Sequence, residues 1–447
     1  MNQVNIIKIL VISLFFLFTL TPLIPITSYD YHNHQRIIQI FFLFAISLLS
    51  VLILIRNKGV SIVSSSNRRI KVLPLIFIVS GCLSSFINKE TSFSLFYTLH
   101  ISLLFITLQS LSSINNKKSI LFIIYVLVIA HTSLILVCLL NIIFTLSEQQ
   151  PLNPYIIYSG FINIRFFNQV QVFILPFLVI LLKFKNIQRI VFTILFLNLL
   201  LIFIGQARGA LLSFLAFSIF ALALKTTLRK QVFIALVCLI LSCITFYALD
   251  SLNKGGAEIL RTSTSGRVDL WLNTLSSLSI KHLFIGNGPG IFEMSLGNSA
   301  PFSHPHNSLI EILNEWGLIA LICILTAVFT TFKKAVTHLR SHKKDVITES
   351  LFYSFAIGVI YSLFSGVHVM PVSQTLLFIM WGLLLGRINK RNGPLIYISK
   401  WGKAIITILF IFGWYFYLQQ AISVYNNIDP DSGYIYGPRF WSVGQRE

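Results

Sequence analysis

Apolar runs that approach the length of a membrane span recur along the whole chain, with short polar stretches between them. A spanning helix needs roughly 20 mostly apolar residues. The first run, from Ile6 to Ile24, has no small-residue cleavage signal and similar runs follow it, so we interpret it as a retained helix rather than a signal peptide. The pattern predicts an all-α polytopic membrane protein with about 12–13 transmembrane helices. The predicted spans are 5–25, 37–55, 72–87, 92–112, 120–146, 170–182, 190–205, 211–224, 232–249, 308–332, 348–364, 375–386 and 404–420.

The amino-acid composition supports the same class of protein. Hydrophobic residues make up 55% of the chain, charged residues make up only 11%, and the mean hydropathy is +0.82. Soluble domains carry about a quarter charged residues. The five cysteines all lie inside apolar runs and form no CxxC pair. The sequence therefore predicts neither a disulfide framework nor a thiolate metal site.

The distribution of basic residues predicts an orientation in the membrane. If the N-terminus is cytoplasmic, 24 of the 34 lysines and arginines are Lys8 or fall in inner loops, and every inner loop is enriched relative to its short outer neighbours. This asymmetry is the one that the positive-inside rule describes. The net charge of +20 thus reflects orientation and does not indicate nucleic-acid binding. The inner loops are 56–71, 113–119, 183–189, 225–231, 333–345 and 386–403.

The predicted organisation is a single membrane domain, 1–447, with two long outer segments. The first segment spans 147–169, and the second, 250–307, is the main outer loop and contains most of the candidate site residues. Both hold polar, aromatic, glycine and proline residues, so they are expected to be ordered loops. The tail 421–447 is outer and short, and it contains the motif Pro438-Arg439-Phe440-Trp441.

Two arginines at the outer boundary are candidate ligands for an anion. Arg208 lies between two apolar runs, and its flanking glycine and alanine leave room for a ligand; the simpler alternative is a membrane anchor. Asp269 could neutralise Arg267 in an ordinary ion pair, although residues two apart on a helix do not face each other. Because a planar guanidinium donates paired hydrogen bonds to phosphate oxygens, both arginines are predicted to be functional.

His306 is the candidate acid–base residue. It lies where the main outer loop enters the next apolar run, and Asn307 or Ser308 could cap that helix. At helical spacing, His306 would share one face with Gly317, which would let another helix approach closely. A histidine with a pKa near 6.5 can accept or share a proton at neutral pH. The alternative is a purely structural histidine.

Several neighbours of these residues are predicted to assist substrate binding. His304 and His306 could instead form a metal pair, but no nearby cysteine or HExxH motif supplies the further ligands that zinc needs, so no metal is expected. The glycine-rich stretch 286–290 has no following GK[ST], so it is interpreted as a tight turn rather than a phosphate-binding loop. Glu311 could support the site or pair with a neighbouring helix, and Arg165 could line a groove or anchor the interface. The predicted substrate-binding residues are Arg165, His304, Asn307, Gly288, Gly290 and Glu311.

In their order along the chain, these motifs resemble the O-antigen ligase/polymerase superfamily, which comprises bacterial inner-membrane glycosyltransferases of the GT-C type. The resemblance covers roughly residues 160 to 390. Ala320 stands where the family pattern has Gly, Thr or Tyr. The motifs are Arg208-Gly209-Ala210 opening a helix, Gly266-Arg267 with Trp271 and the stretch 286–290, and His306-Asn307 followed by Gly317.

The resemblance implies a reaction and a location. The donor would be a glycan linked through pyrophosphate to undecaprenol, and the acceptor would be lipid A-core or another glycan. Arg208 and Arg267 would hold the pyrophosphate, and His306 would act on the acceptor hydroxyl as a base or by orienting it. Transfer would invert the anomeric centre without a metal, cofactor or nucleotide sugar, at the periplasmic face of the bacterial inner membrane.

Alternatives remain open at the level of sequence. An O-antigen ligase is favoured over an O-antigen polymerase, and a protein O-oligosaccharyltransferase is less favoured because the tail is short. A transporter or flippase of lipid-linked glycans would also have many spans, but transporters place their polar site near the midplane. Here the polar residues gather outside. A non-catalytic scaffold would leave the two arginines and His306 without a joint explanation.

Overall fold

The chain folds into an all-α polytopic membrane protein in the computed structural model, as the hydrophobic pattern predicts. In the described residues, eight helices are long and apolar enough to span a membrane, and four shorter apolar helices accompany them. The described residues are 3–20, 30–56, 60–61, 68–87, 90–150, 152–153, 157–158, 160–224, 227–252, 266–296, 302–342, 345–389, 395–396, 398–426 and 439–442.

A helix coincides with each of the thirteen predicted spans, although 21–25 of the first span lie outside the described residues, and two short helices lie between α9 and α12. The first helix continues as a π-helical turn, Phe16–Leu20, and two short strands, β1 (Val60–Ser61) and β2 (Leu395–Ile396), pair antiparallel. The helices are α1 Gln3–Phe15, α2 Tyr31–Arg56, α3 Arg68–Ile87, α4 Thr91–Leu111, α5 Lys117–Ser147, α6 Ile164–Leu181, α7 Gln188–Ile204, α8 Arg208–Ala223, α9 Arg229–Leu252, α10 Arg267–Ser276, α11 Ile280–Ile285, α12 Ser308–Ser341, α13 Val346–Tyr361, α14 Pro371–Ile388 and α15 Lys400–Asn426.

Burial separates central helices from peripheral ones. The apolar windows of α6 and α14 are 89% and 78% buried, whereas that of α15 is only 17% buried. The faces of α9 and α15 that point away from the bundle expose large side chains such as Phe233, Ile244, Leu409 and Phe412. An exposed surface of this kind fits contact with lipid, whereas a soluble protein rarely exposes so large an apolar surface.

Several helices begin earlier than their apolar runs predict, because polar side chains in their first turns are paired inside the bundle. Helix α6 begins at Ile164 rather than at 170, and Gln169 donates to the Ser365 hydroxyl (2.9 Å) and accepts from the Ser373 hydroxyl (2.6 Å). Likewise α2 begins at Tyr31, and its fully buried Arg36 is hydrogen-bonded on all sides. Hydrogen bonds to other segments of the bundle satisfy these groups, which a hydropathy window counts as loop.

The helix ends place the predicted site residues together. Ser308, which opens α12, hydrogen-bonds to Ser362, which follows α13. Gly209 at the start of α8 lies against the ring of Tyr361 at the end of α13. We call this the site end of the bundle. At the opposite end, Asp345 accepts from Arg387 (2.6 Å) and joins the beginning of α13 to the end of α14.

Candidate functional site

Arg267 is the first residue of α10, and its side chain reaches across to the connection between α13 and α14. Its Nη1 donates to the Phe364 carbonyl (2.8 Å). The pKa of Arg267 lies below its usual value because of partial burial and the nearby cations Arg165 and Arg208. Within the described part of the chain, Asp269 forms no ion pair with Arg267. Arg165 and Arg208 therefore both lie within electrostatic range of Arg267.

Arg208 and Arg165 are each presented by the first turn of a helix. Helix α7 ends at Ile204, and the chain turns through Gln206, whose φ of 48° is left-handed, before Arg208 opens α8. The Asn163 side chain caps α6 by accepting from the Arg165 backbone N–H (2.9 Å). The Arg208 side chain is half-buried and the Arg165 side chain is exposed, so a ligand from solvent could reach both.

His306 lies just outside α12 and not on its face. Its φ of 56° is left-handed, which is uncommon for a residue with a Cβ. Asn307 is the N-cap, as predicted, and its side chain accepts from the backbone N–H groups of Leu309 (3.0 Å) and Ile310 (3.3 Å). The prediction that His306 shares a helical face with Gly317 is wrong, because the N-cap ends the helical geometry before His306. Such backbone strain is typical of functional positions.

The loop around His306 is held from two directions. Trp271 of α10 donates its indole N–H to the Pro305 carbonyl (2.8 Å). The rings of His304 and His306 meet edge to face with centroids 4.1 Å apart. The pKa of His306 falls to about 3 because of burial and the cations Arg267 and Arg165. The imidazole is therefore neutral at physiological pH when no anion is bound.

His304 is buried, and its side chain contacts the His306 backbone and Gly366. Its Nδ1 accepts from the His306 backbone N–H (3.3 Å), and its ring lies so close to Gly366 that a Cβ there would press on it. Burial, with His306 and Arg439 nearby, holds the pKa of His304 well below its usual value. Among the described residues, no third His, Cys, Asp or Glu completes a metal site with this pair.

The glycine-rich turn packs against a break in α12. Gly317 has non-helical angles (φ 82°, ψ 176°), and a Cβ there would overlap the backbone of Phe284. Gly286 is equally constrained: its φ is 90°, and a Cβ would overlap the Glu315 carbonyl. The close approach predicted at Gly317 is present, and its partner is the short helix α11. Both positions need glycine because backbone meets backbone there.

The backbone N–H groups of the glycine-rich turn are occupied within the fold. Gly288 donates to the Glu315 carbonyl oxygen (3.0 Å) and Gly290 donates to its carboxylate (2.9 Å). Phe292 donates to the other oxygen of the same carboxylate (2.9 Å). These contacts give Gly288 and Gly290 a positioning role, and substrate binding by them stays a prediction.

Glu311 belongs to a buried ion-pair cluster that includes residues not predicted from the sequence. Its carboxylate contacts the Arg439 guanidinium (3.0 Å) on one oxygen and His368 Nε2 (2.9 Å) on the other. Arg439 also pairs with Glu315 (2.5 Å). The only sequence signal for Arg439 is its Pro-Arg-Phe-Trp setting in a tail that is otherwise ordinary. The predicted alternative for Glu311 is a pair with a neighbouring helix; its partners lie instead in the tail and in the connection between α13 and α14.

An apolar cleft lies beside this cluster. Its polar lining residues include Ser308, Glu311, Ser362 and His368. The walls continue towards the middle of the bundle and are lined by Phe77, Phe105, Trp316, Phe378 and Trp381.

Comparison with known proteins gives one family. No curated protein matches the chain. Residues 193–325 match the family described as O-antigen ligase, and this segment contains Arg208, Arg267 and His306. The chain is therefore a multi-pass membrane protein whose residues 193–325 are similar to the O-antigen ligase family, and this match confirms the resemblance to the O-antigen ligase/polymerase superfamily.

Proposed function

We propose that this protein transfers a glycan from undecaprenyl pyrophosphate to an acceptor hydroxyl of lipid A-core, at the periplasmic face of the bacterial inner membrane. The O-antigen ligase domain indicates a membrane glycosyltransferase of the ligase/polymerase type. The donor, the acceptor, the location and the roles of individual residues are the proposal.

The observation that carries the proposal is that Arg165 and Arg267 lie near a neutral His306, with Arg208 near Arg267. In the described residues, no carboxylate forms a salt bridge with Arg165 or Arg267. Cations that repel one another in a partly buried site need an anion to offset the repulsion. A pyrophosphate matches this need in charge, and its oxygens match the donor geometry of guanidinium groups.

The proposed reaction is a single displacement. The acceptor hydroxyl oxygen forms a bond to the anomeric carbon as the bond from that carbon to the pyrophosphate oxygen breaks, which inverts the centre. The electron pair leaves with the pyrophosphate, whose growing negative charge Arg208 and Arg267 stabilise. The hydroxyl proton passes to the His306 imidazole, which is neutral and can accept it.

Donor binding would prepare His306 for this role. A base whose pKa is about 3 is weak, and the nearby Arg267 and Arg165 are two of the causes. An anion bound between these cations and the imidazole would favour the protonated form and raise the pKa. His306 would then become a competent base only when the donor is in place.

The apolar cleft supports a lipid-linked donor. Ser308, two residues after His306, lines it together with aromatic side chains such as Phe105, Trp316 and Trp381. We propose that it receives part of the undecaprenyl chain, because a mostly apolar lining accommodates hydrocarbon without leaving polar groups unsatisfied.

Substitution of the three residues tests the proposal. Arg208→Ala, Arg267→Ala and His306→Ala, each expressed in a deletion strain, should abolish attachment of polysaccharide to lipid A-core. Loss of one such stabilising donor typically costs about 100- to 1,000-fold in turnover. Arg189→Ala, which removes an exposed arginine at the opposite end of the bundle, is the control and should restore normal lipopolysaccharide ladders.

Immunoblots of membrane fractions must show equal amounts of each variant. Normal ladders in all three site variants would refute the proposal. The deletion strain itself separates ligase from polymerase: a missing ligase leaves long lipid-linked glycan, whereas a missing polymerase leaves one repeat unit on the core. A flippase would show no glycan transfer by the purified protein in detergent, where no membrane separates two compartments.

A further inference from the structure

The C-terminal segment Arg439–Ser442 is docked into the bundle at the site end, and all four of its residues are buried. Arg36 of α2 donates to the backbone carbonyls of Arg439 (2.9 Å) and Phe440 (2.8 Å). Asn33 accepts from the Ser442 backbone N–H (2.8 Å) and donates to its hydroxyl (3.0 Å). These contacts anchor the backbone of the segment.

The Phe440 ring completes the anchor. It packs against Phe96 (centroids 4.6 Å apart) and His100 (5.2 Å), and the Arg36 guanidinium lies 4.7 Å from its centre. Trp441 donates its indole N–H to the Ala421 carbonyl of α15 (3.1 Å). The docking of the segment therefore rests on α2, α4 and α15 through contacts that are additional to those of the Arg439 side chain.

The Arg439 side chain points the other way, towards the site. Its guanidinium donates to the carbonyl of Ser303, three residues before His306, and to both Glu311 (3.0 Å) and Glu315 (2.5 Å). A guanidinium can serve three acceptors in different directions because its donors are fixed in a planar fork.

Each partner of Arg439 holds a different part of the site. Ser303 belongs to the His306 loop, and Glu315 binds the backbone of the glycine-rich turn at Gly290. Glu311 binds His368, which lies in the connection between α13 and α14. The Phe364 carbonyl of the same connection accepts a hydrogen bond from Arg267. One side chain from the tail thus links the three loops that surround the proposed reaction.

We propose that Arg439 is a positioning residue for glycan transfer, which rests on the proposed function. It fixes the relative positions of three segments without touching substrate. These are the His306 loop, the glycine-rich turn and the connection between α13 and α14, which binds Arg267. Its loss should lower turnover more than donor affinity, because Arg165 and Arg208 are presented by the first turns of α6 and α8, to which Arg439 makes none of the bonds described above.

The test compares full-length variants in a purified transfer assay with lipid-linked glycan as donor. Arg439→Gln should reduce kcat roughly 100-fold, the effect expected of a misplacement of about 1 Å, with KM for the donor within about threefold of wild type. Arg439→Lys keeps the charge but not the fork and should lose about tenfold. Arg446→Gln removes one positive charge from the same tail and is the matched control, with wild-type kcat.

Amide hydrogen exchange provides a readout independent of activity. In Arg439→Gln the segment 286–296 should exchange faster, because Glu315 loses the partner that holds its carboxylate against Gly290 and Phe292. The segment 31–42 should exchange as in wild type, because docking through Arg36 and Asn33 is retained.

The outcomes separate this inference from the proposed function. Wild-type kcat in both Arg439 variants, with inactive Arg208, Arg267 and His306 variants, would overturn the positioning role alone. Faster exchange throughout the bundle in both Arg439 variants would also overturn it, because Arg439 would then only support the fold. Activity in the Arg208, Arg267 and His306 variants would instead overturn the proposed function.

Discussion

Arginines at the same end of the bundle fall into two groups that differ in how their charge is balanced. Arg439 stands alone in the first group, and Arg165 and Arg267 form the second. Arg439 is almost fully buried, and both Glu311 and Glu315 pair with it. Arg165 and Arg267 are more accessible and, within the described part of the chain, form no salt bridge. A cation balanced by the chain's own carboxylates is part of the architecture. Cations that form no salt bridge among the described residues support the anionic ligand proposed above.

The pKa values express the same difference. Burial opposes the charge of Arg439, yet Glu315 and Glu311 more than offset it and raise the pKa above its usual value. For Arg267, burial acts in the same direction as the neighbouring cations Arg165 and Arg208, and the pKa is lowered. The charged form is therefore stabilised at Arg439 and destabilised at Arg267, which would gain from a bound anion.

The largest expected effect on stability comes from removing a carboxylate that balances the charge of Arg439. Glu315→Ala removes the carboxylate closest to Arg439 and frees the N–H groups of Gly290 and Phe292. Breaking a buried pair by removing one partner costs about 3–5 kcal/mol. Thermal unfolding in detergent should therefore show a large loss of stability.

Asp269→Ala is the matched control for this substitution. Asp269 is an exposed carboxylate near the same end of the bundle and forms no salt bridge among the described residues. The stability of this variant should stay within about 0.5 kcal/mol of wild type. Equal stability of the Glu315 and Asp269 variants would mean that the cluster around Arg439 is not structural.

A somewhat smaller effect is expected where the glycine-rich turn meets α12. Gly317→Ala should lower stability by about 2 kcal/mol, because its left-handed φ disfavours a side chain and a Cβ would overlap the backbone of Phe284. Gly413→Ala in α15 is the control: nothing lies within 4 Å of the added Cβ, and alanine favours helix by about 1 kcal/mol. A Gly317 variant as stable as the Gly413 variant would contradict the described contact.

The helices could be predicted from the sequence because their signal is local. Each span is a run of apolar residues, and lipid imposes the helix on any such run. The errors fall where distant residues decide the structure. The early start of α6 depends on Ser365 and Ser373, which pair with Gln169 from about 200 positions away.

The residues of the candidate site also differ in whether the local sequence or only the fold reveals them. Arg208, Arg267 and His306 stand out in the sequence because ionisable side chains are rare beside apolar runs, and their roles stay predictions. Arg439 could not be predicted from the sequence, since its partners Glu311 and Glu315 lie more than 120 positions away and only the fold brings them together. The left-handed backbone at His306 could not be predicted from helical spacing, because that spacing does not show that the Asn307 cap ends the helix.

The smallest expected effect is a change in the titration of His306, and it tests the unbalanced group directly. Because Arg165 is one of the cations that lower the pKa of His306 to about 3, Arg165→Gln should raise that pKa towards 6.5. A tenfold change in the proton affinity of the imidazole corresponds to about 1.4 kcal/mol between its two protonation states. Nitrogen NMR of labelled histidine, assigned with His306→Asn, would follow the change, and Arg189→Gln should leave the pKa of His306 unaltered.

Inorganic pyrophosphate added to the wild-type protein should also raise the pKa of His306, because the anion would supply the negative charge that Glu311 and Glu315 supply to Arg439. If neither the substitution nor pyrophosphate moved the titration, the arginines would not act on His306, and the contrast between the two groups would fail.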